Sequence, residues 1–145
     1  SIHWGEVIVA RKVAAGVQEI FAQLYAIGYP ITSAKPMLHF NGKDDASMAA
    51  NNTSAFNCRR VKGSKRYSQH STGEAIDLNP LWNPWVKGTR VDPPTAKEFA
   101  NRELDHPGLI KPNDQIVSLF SEHGWKWGGY WRTTKDYQHF STSGY

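Results

Sequence analysis

Two histidines and two aspartates stand in this chain at spacings that could do metal chemistry. His70 and Asp77 lie on either side of Gly73 in the polar segment Ser68-Gln69-His70-Ser71-Thr72-Gly73-Glu74-Ala75-Ile76-Asp77, and far downstream Asp136 and His139 stand three apart in Asp136-Tyr137-Gln138-His139-Phe140. Imidazole and carboxylate are donors that zinc takes, and a catalytic zinc site needs three protein ligands and one open position. Along one strand His70 and Asp77 would be about 23 Å apart at roughly 3.3 Å per residue. On one helix they would share a face but stand about 10 Å apart along the axis. The chain must therefore reverse between them, and Ser71-Thr72-Gly73 can make that turn, because glycine accepts positive φ and the hydroxyls can hydrogen-bond to the local backbone.

After the turn, Ala75-Ile76-Asp77-Leu78 alternates like a short strand, with Asp77 directed away from the apolar face formed by Ile76 and Leu78. Asp136 and His139 would project to opposite faces of a strand, so a turn is needed to bring both to one ion's surroundings. We read His139 as the third ligand and Asp136 as the proton-transfer group, since a carboxylate beside a zinc-bound water can take its proton and pass it to a leaving amine.

The ordered motifs Ser-x-His-x-x-Gly-x-Ala-x-Asp and Asp-x-x-His, the latter preceded by Gly124-Trp125-Lys126-Trp127-Gly128-Gly129, resemble a known family. It is that of the zinc D-alanyl-D-alanine carboxypeptidases and L-alanyl-D-glutamate endopeptidases, which cut peptidoglycan stem peptides. The similarity runs from residue 44 to residue 140. It implies Zn2+ held by His70, Asp77 and His139, with Asp136 as general base. Arg59, in Asn52-Thr53-Ser54-Ala55-Phe56-Asn57-Cys58-Arg59, would stabilise the carbonyl oxygen or bind a substrate carboxylate, and Ser68 would orient substrate or the neighbouring ligand. Three positions depart from the pattern: Cys58 stands where a tyrosine or other bulky residue is expected, Gln138 replaces a common proline, and Arg60 duplicates the arginine. Adjacent strand residues point to opposite sides, so either Arg59 or Arg60 could face the cleft. Asp136 in place of glutamate and the Gly-Trp-x-Trp-Gly-Gly approach resemble the endopeptidase branch; a carboxypeptidase on terminal D-alanine stays open.

These residues need a scaffold. Apolar groups at Val9, Val13, Val17, Ile20, Phe21 and Leu24 predict a helix over residues 9–25, ended by Gly28 and Pro30. Residues 29–32 and 56–61 read as strands, 41–53 as a loop with a helical turn, and 95–102 as a short helix. Asn113 or Asp114 caps a helix through Ile116, Val117, Leu119 and Phe120 to Gly124, and residues 125–127 and 139–141 close the fold as strands. The expected class is α+β: one compact domain over residues 1–145, with a small antiparallel sheet carrying the zinc site and flanking helices.

Composition narrows the alternatives. Hydrophobic residues are 39% and charged residues 21%, as in an ordinary globule, and no run approaches a membrane span. A single cysteine excludes a disulfide framework within the chain; Cys58 reads as a small buried hydrophobe. The net charge of +4 favours anionic surroundings, and Arg59, Arg60, Lys62, Lys65 and Arg66 form either a solvated loop or a rim that draws in a carboxylate-rich substrate. Trp82 and Trp85 are core cover or a substrate platform, and His123 reads as a favourable charge at a helix C-terminus. A non-catalytic zinc-containing module that binds peptidoglycan would have no need of Asp136, and a nucleic-acid-binding protein would leave the His and Asp pattern unexplained. The expected partner is the peptidoglycan stem peptide, with no nucleic acid, no membrane insertion and a monomeric state. The expected location is outside the cytoplasm, in the periplasm or cell wall, or the chain is phage-encoded and acts on the wall.

Overall fold

Two helices and one small sheet form the core that carries the His and Asp motifs, as seen in a computed structural model describing residues 1–145. Helix α1, Arg11–Ala26, buries Val17, Ile20 and Leu24 on one stripe. Left-handed Gly28 (φ 73°) then turns the chain so that the Tyr29 N–H donates to Leu24 O at 2.9 Å. Helix α2 is Asp44–Ala49 and helix α3 is Gln115–Glu122. The Asp114 carboxylate caps α3, accepting from Val117 N at 2.9 Å and Lys111 N at 2.8 Å. His123 links the two longer helices, with Nδ1 donating to Leu119 O at 3.0 Å and Nε2 lying 3.1 Å from Glu19 on α1.

The eight strands are short: β1 Ser33–Ala34, β2 Asn52–Thr53, β3 Ala75–Asp77, β4 Trp85–Lys87, β5 Arg90–Asp92, β6 Lys126–Trp127, β7 Lys135–Asp136 and β8 His139–Ser141. They form a parallel pair β1-β2 and two antiparallel three-stranded sheets, β3-β8-β6 and β5-β4-β7. In the first of these sheets Asp77 lies directly opposite His139 and Ile76 opposite Phe140. Directly opposed side chains share a face with Cβ atoms about 5 Å apart, so this register alone brings a carboxylate and an imidazole together. On the other face Phe140 stacks on Phe120 of α3 at 3.9 Å between ring centroids, anchoring β8 in the apolar core. The architecture is α+β, with an antiparallel sheet carrying the candidate ligands as expected.

Some local expectations are corrected. The strand expected at residues 29–32 forms instead at Ser33–Ala34, because Pro30 has no N–H for a ladder and Thr32 N donates to Asn79 Oδ1 at 3.3 Å. Residues 56–61 form no ladder beyond one bridge between Arg60 and Tyr67; Phe56 N donates to Ile8 O and Asn57 N to His70 O. Burial still alternates there, with Ala55 and Asn57 inside and Phe56 and Cys58 outside. Cys58 is therefore exposed, contrary to the expectation that it is buried. The short helix at 95–102 is a 3-10 segment, Pro94–Ala100.

The start of α1 is docked on the His70–Asp77 turn. Ala10 N donates to Gly73 O at 2.9 Å, and a Cβ at Gly73 (φ 70°) would lie 2.5 Å from Ala10 N. Next to it Glu74 accepts from Lys12 Nζ at 2.9 Å and from Thr142 Oγ1 at 3.2 Å. The hydrogen bond from Lys12, above all, holds the Glu74 carboxyl below its ordinary range. A depressed carboxyl pKa stabilises the fold above the unfolded value of about 4.3 and ceases to do so as pH falls through the folded value. Glu74→Gln is expected to cost about 0.5 kcal/mol in urea unfolding at pH 7, with the gap closing near pH 3; an equal gap at both pH values would contradict this linkage.

Candidate metal centre

His70 sits in the 3-10 turn Gln69–Thr72, where the Ser68 hydroxyl accepts from His70 N at 3.2 Å and Gly73 closes the turn in the left-handed conformation. That turn reverses the chain so that His70 faces the end of β3. One ligand atom each from His70, Asp77 and His139 lies within 4.8 Å of the others, and all three residues are buried. Asp77 places Oδ2 3.1 Å from His70 Nε2 and Oδ1 3.1 Å from His139 Nδ1.

The outer nitrogens settle the tautomers. His70 Nδ1 is 2.6 Å from Ala55 O, and His139 Nε2 is 2.8 Å from Tyr145 O. A main-chain oxygen can only accept, so each outer nitrogen carries the proton and, in the neutral ring, each inner nitrogen presents a lone pair. Those lone pairs converge on a carboxylate, an arrangement that calls for positive charge between them. His70 Nε2 is buried and makes no aligned hydrogen bond despite its short distance to Asp77. Burial works to lower His139, but the Asp77 hydrogen bond and the charges of Asp77 and Asp136 raise it to about 9. Burial alone would raise Asp77, yet the two imidazoles outweigh it and hold the carboxyl well below its usual range. Two imidazoles with fixed outer protons and one carboxylate are a donor set that fits zinc.

Asp136 ends β7, and the two-residue turn Tyr137-Gln138 separates it from His139. The turn is fastened by Trp127 Nε1 donating to Tyr137 O at 2.8 Å, by Leu78 N donating to Gln138 O at 2.9 Å, and by Gln138 Nε2 donating to Asn83 O at 3.3 Å. Gln138, at the position where proline is common, thus ties the turn to its neighbours through its side chain. Gly128 allows the close approach: a Cβ there would lie 2.7 Å from Asp136 O and 3.3 Å from His139 Cβ. Asp136 Oδ1 is buried without a partner, and burial pushes this carboxyl up to about 7 against the opposing charge of His139.

Arg59 is on the cleft, and Arg60 is not among the residues lining it. The Arg59 main chain is locked to the ligand turn, its N–H donating to Ser71 Oγ at 3.0 Å and its O accepting from Ser68 N at 3.0 Å. Asp44, at the start of α2, holds the Arg59 guanidinium at 3.3 Å, while Nε is buried without a partner. Arg60 instead donates to Lys65 O at 2.9 Å and lies over the Tyr67 ring. Sequence reasoning did not single out Asp44; its only local signal was an acidic residue at the start of a helical turn. The tryptophan pair divides: Trp85 lines the cleft, whereas Trp82 packs on His106 at 4.6 Å. The cleft has a volume of about 710 Å3; a cavity of about 830 Å3 against α1 contains none of these donors.

Isothermal titration with zinc is expected to give one site per chain and to raise the melting temperature, since a ligand at 100 times its Kd stabilises by about 2.7 kcal/mol. His70→Ala should abolish that binding. Gly128→Ala should weaken it at least about 10-fold by displacing His139, as loss of ligand support does at metal sites. Unchanged zinc affinity in both variants would place the metal elsewhere.

A protein-family profile described as D-alanyl-D-alanine carboxypeptidase matches residues 62–142, more than half of the chain. That stretch contains Ser68, His70, Asp77, Asp136 and His139, and leaves Arg59 just outside it. No curated protein and no solved structure matches the chain. With the family motifs gathered around one cleft and the profile spanning them, the chain belongs to the D-alanyl-D-alanine carboxypeptidase family of peptidases.

Proposed function

We propose that this chain is a zinc peptidase hydrolysing amide bonds in peptidoglycan stem peptides, and that it acts outside the cytoplasm or, if phage-encoded, on the wall. The observation that carries this reading is the convergence of three buried donors, His70, Asp77 and His139, on a cleft that also holds Asp136 with an unpartnered oxygen. When bound, zinc supplies Lewis-acid polarisation of the scissile carbonyl and acidifies water. The remaining work falls to the chain's own groups. Asp136 accepts the proton of the attacking water and returns it to the amine as the C–N bond breaks. Ala55 and Tyr145 keep the ligand imidazoles in the tautomers that leave Nε2 of His70 and Nδ1 of His139 free. Arg59 donates to the oxygen that gains charge as the carbonyl is attacked, a kind of contact whose loss costs on the order of 100-fold to 1000-fold in rate. Its guanidinium lines the cleft beside Asp44, with which it shares its charge.

The finer reading is an L-alanyl-D-glutamate endopeptidase. It is supported by Asp136 in place of glutamate, by the Gly-Trp-x-Trp-Gly-Gly approach, and by the Arg59–Asp44 pair, which leaves a partly neutralised donor suited to a peptide carbonyl rather than to a terminal carboxylate. The second reading, a D-alanyl-D-alanine carboxypeptidase, rests on the family description.

Incubation of zinc-loaded protein with defined stem peptides, followed by mass analysis, is expected to show a break between L-alanine and D-glutamate. Release of free D-alanine alone would establish the second reading, and no new amine would leave only a binding module. Asp136→Asn should keep zinc affinity and lower kcat by about 100-fold to 10,000-fold; full activity in that variant would exclude Asp136 as the base. Chelation should abolish turnover, and added zinc should restore it.

A further inference from the structure

From Ala46 to Gly73 the chain contains no aspartate or glutamate but five cations: Arg59, Arg60, Lys62, Lys65 and Arg66. Only Arg59 has a carboxylate partner. The other four crowd into one hairpin, residues 60–67, in which every residue from 62 to 67 is exposed. Like charges this close lie within a Debye length of about 8 Å to 10 Å and repel one another. A flexible loop would spread them apart, but this hairpin is braced. Arg60 bridges Tyr67, Val61 N donates to Arg66 O at 2.9 Å, and Ser64 N donates to Val61 O at 3.0 Å across the left-handed Gly63. The Arg60 guanidinium lies over the Tyr67 ring at 5.2 Å and donates through Nη1 to Lys65 O, leaving its other N–H groups free. Lys62 and Arg66 line the cleft, whereas Arg60 and Lys65 do not, so the charge runs from the cleft out onto the surface.

We propose that this hairpin is a docking surface for the stem-peptide carboxylates of the peptidoglycan polymer, holding the enzyme on its insoluble substrate at a distance from the bond being cut. The inference rests on the peptidoglycan reading above and deepens it. A guanidinium fork matches a carboxylate, and ammonium groups add unoriented attraction. Each exposed pair strengthens binding only about 1.4-fold to 5-fold, but a polymer that repeats its carboxylates offers partners to all four cations at once, and the second contact forms at high effective concentration. The substrate itself supplies these anions, so no additional component of the wall is required.

The test uses the zinc-loaded full chain and the double variant Arg60→Glu/Lys65→Glu, whose side chains lie outside the cleft. Both are sedimented with insoluble peptidoglycan stripped of covalently attached phosphate polymers, at about 50 mM and about 300 mM salt. The wild type should bind and release with salt, and the double variant should lose binding about 10-fold or more while its kcat/KM on a soluble stem peptide stays within about twofold. Arg60→Lys/Lys65→Arg should bind like the wild type. Sedimentation of the charge-reversed variant at the wild-type level would overturn the proposal, as would an equal loss on the soluble peptide. Binding that needs the phosphate polymers, or single-stranded DNA bound as tightly as the stripped wall, would also overturn it. If the wild type cuts no stem peptide, the proposed function fails, and the sedimentation arm still decides whether the hairpin docks on the wall.

Discussion

The Asp77 carboxylate between two imidazoles is the interaction on which the rest of the site depends. A carboxylate buried to this degree is tolerated only with positive charge or strong donors beside it. Both imidazoles have committed their outer N–H groups to main-chain oxygens, at Ala55 and Tyr145. What remains at the centre is two nitrogens and two carboxylate oxygens facing one another at 3.1 Å. Protonated rings can satisfy such a cluster, and so can one divalent cation; the second leaves both imidazoles neutral and gives each donor a bond.

The scaffold can be understood as what holds this arrangement rigid. The β3–β8 register sets Asp77 against His139, and the Phe120–Phe140 stack prevents β8 from slipping. A one-residue slip would exchange the two faces, sending His139 into the apolar core and Phe140 to the cleft. His70 reaches the same point by another route, through the turn closed at Gly73 and pressed from outside by the start of α1. Asp136 arrives by the tight passage beside Gly128, where no side chain would fit. Asp44 and Asp136 thereby share the cleft with Asp77, and burial raises both despite the nearby cations.

Much of this was legible because it is local. The reversal at Ser71-Thr72-Gly73 follows from a distance argument on His70 and Asp77, and α1 and α3 follow from apolar spacing, a carboxylate cap and terminal glycines. What was not legible depends on partners distant in sequence. Nothing near Ala55 or Tyr145 marks their oxygens as the groups that set the histidine tautomers. Asp44 matters only because α2 packs its first turn against Arg59, and the choice between Arg59 and Arg60 depends on the hairpin that draws Arg60 to Lys65 and Tyr67. Cys58 is exposed because residues 55–58 alternate along the surface, a direction that β-like composition does not specify.

The outer hydrogen bonds dictate which nitrogen of each histidine would meet a metal. Anomalous diffraction at the zinc edge on crystals of the metal-loaded protein tests this most directly. The expected result is one ion bonded to Nε2 of His70, a carboxylate oxygen of Asp77 and Nδ1 of His139, with Asp136 beside it and not bonded to it. An ion bonded through Nδ1 of His70 or Nε2 of His139, or lodged away from Asp77, would contradict it.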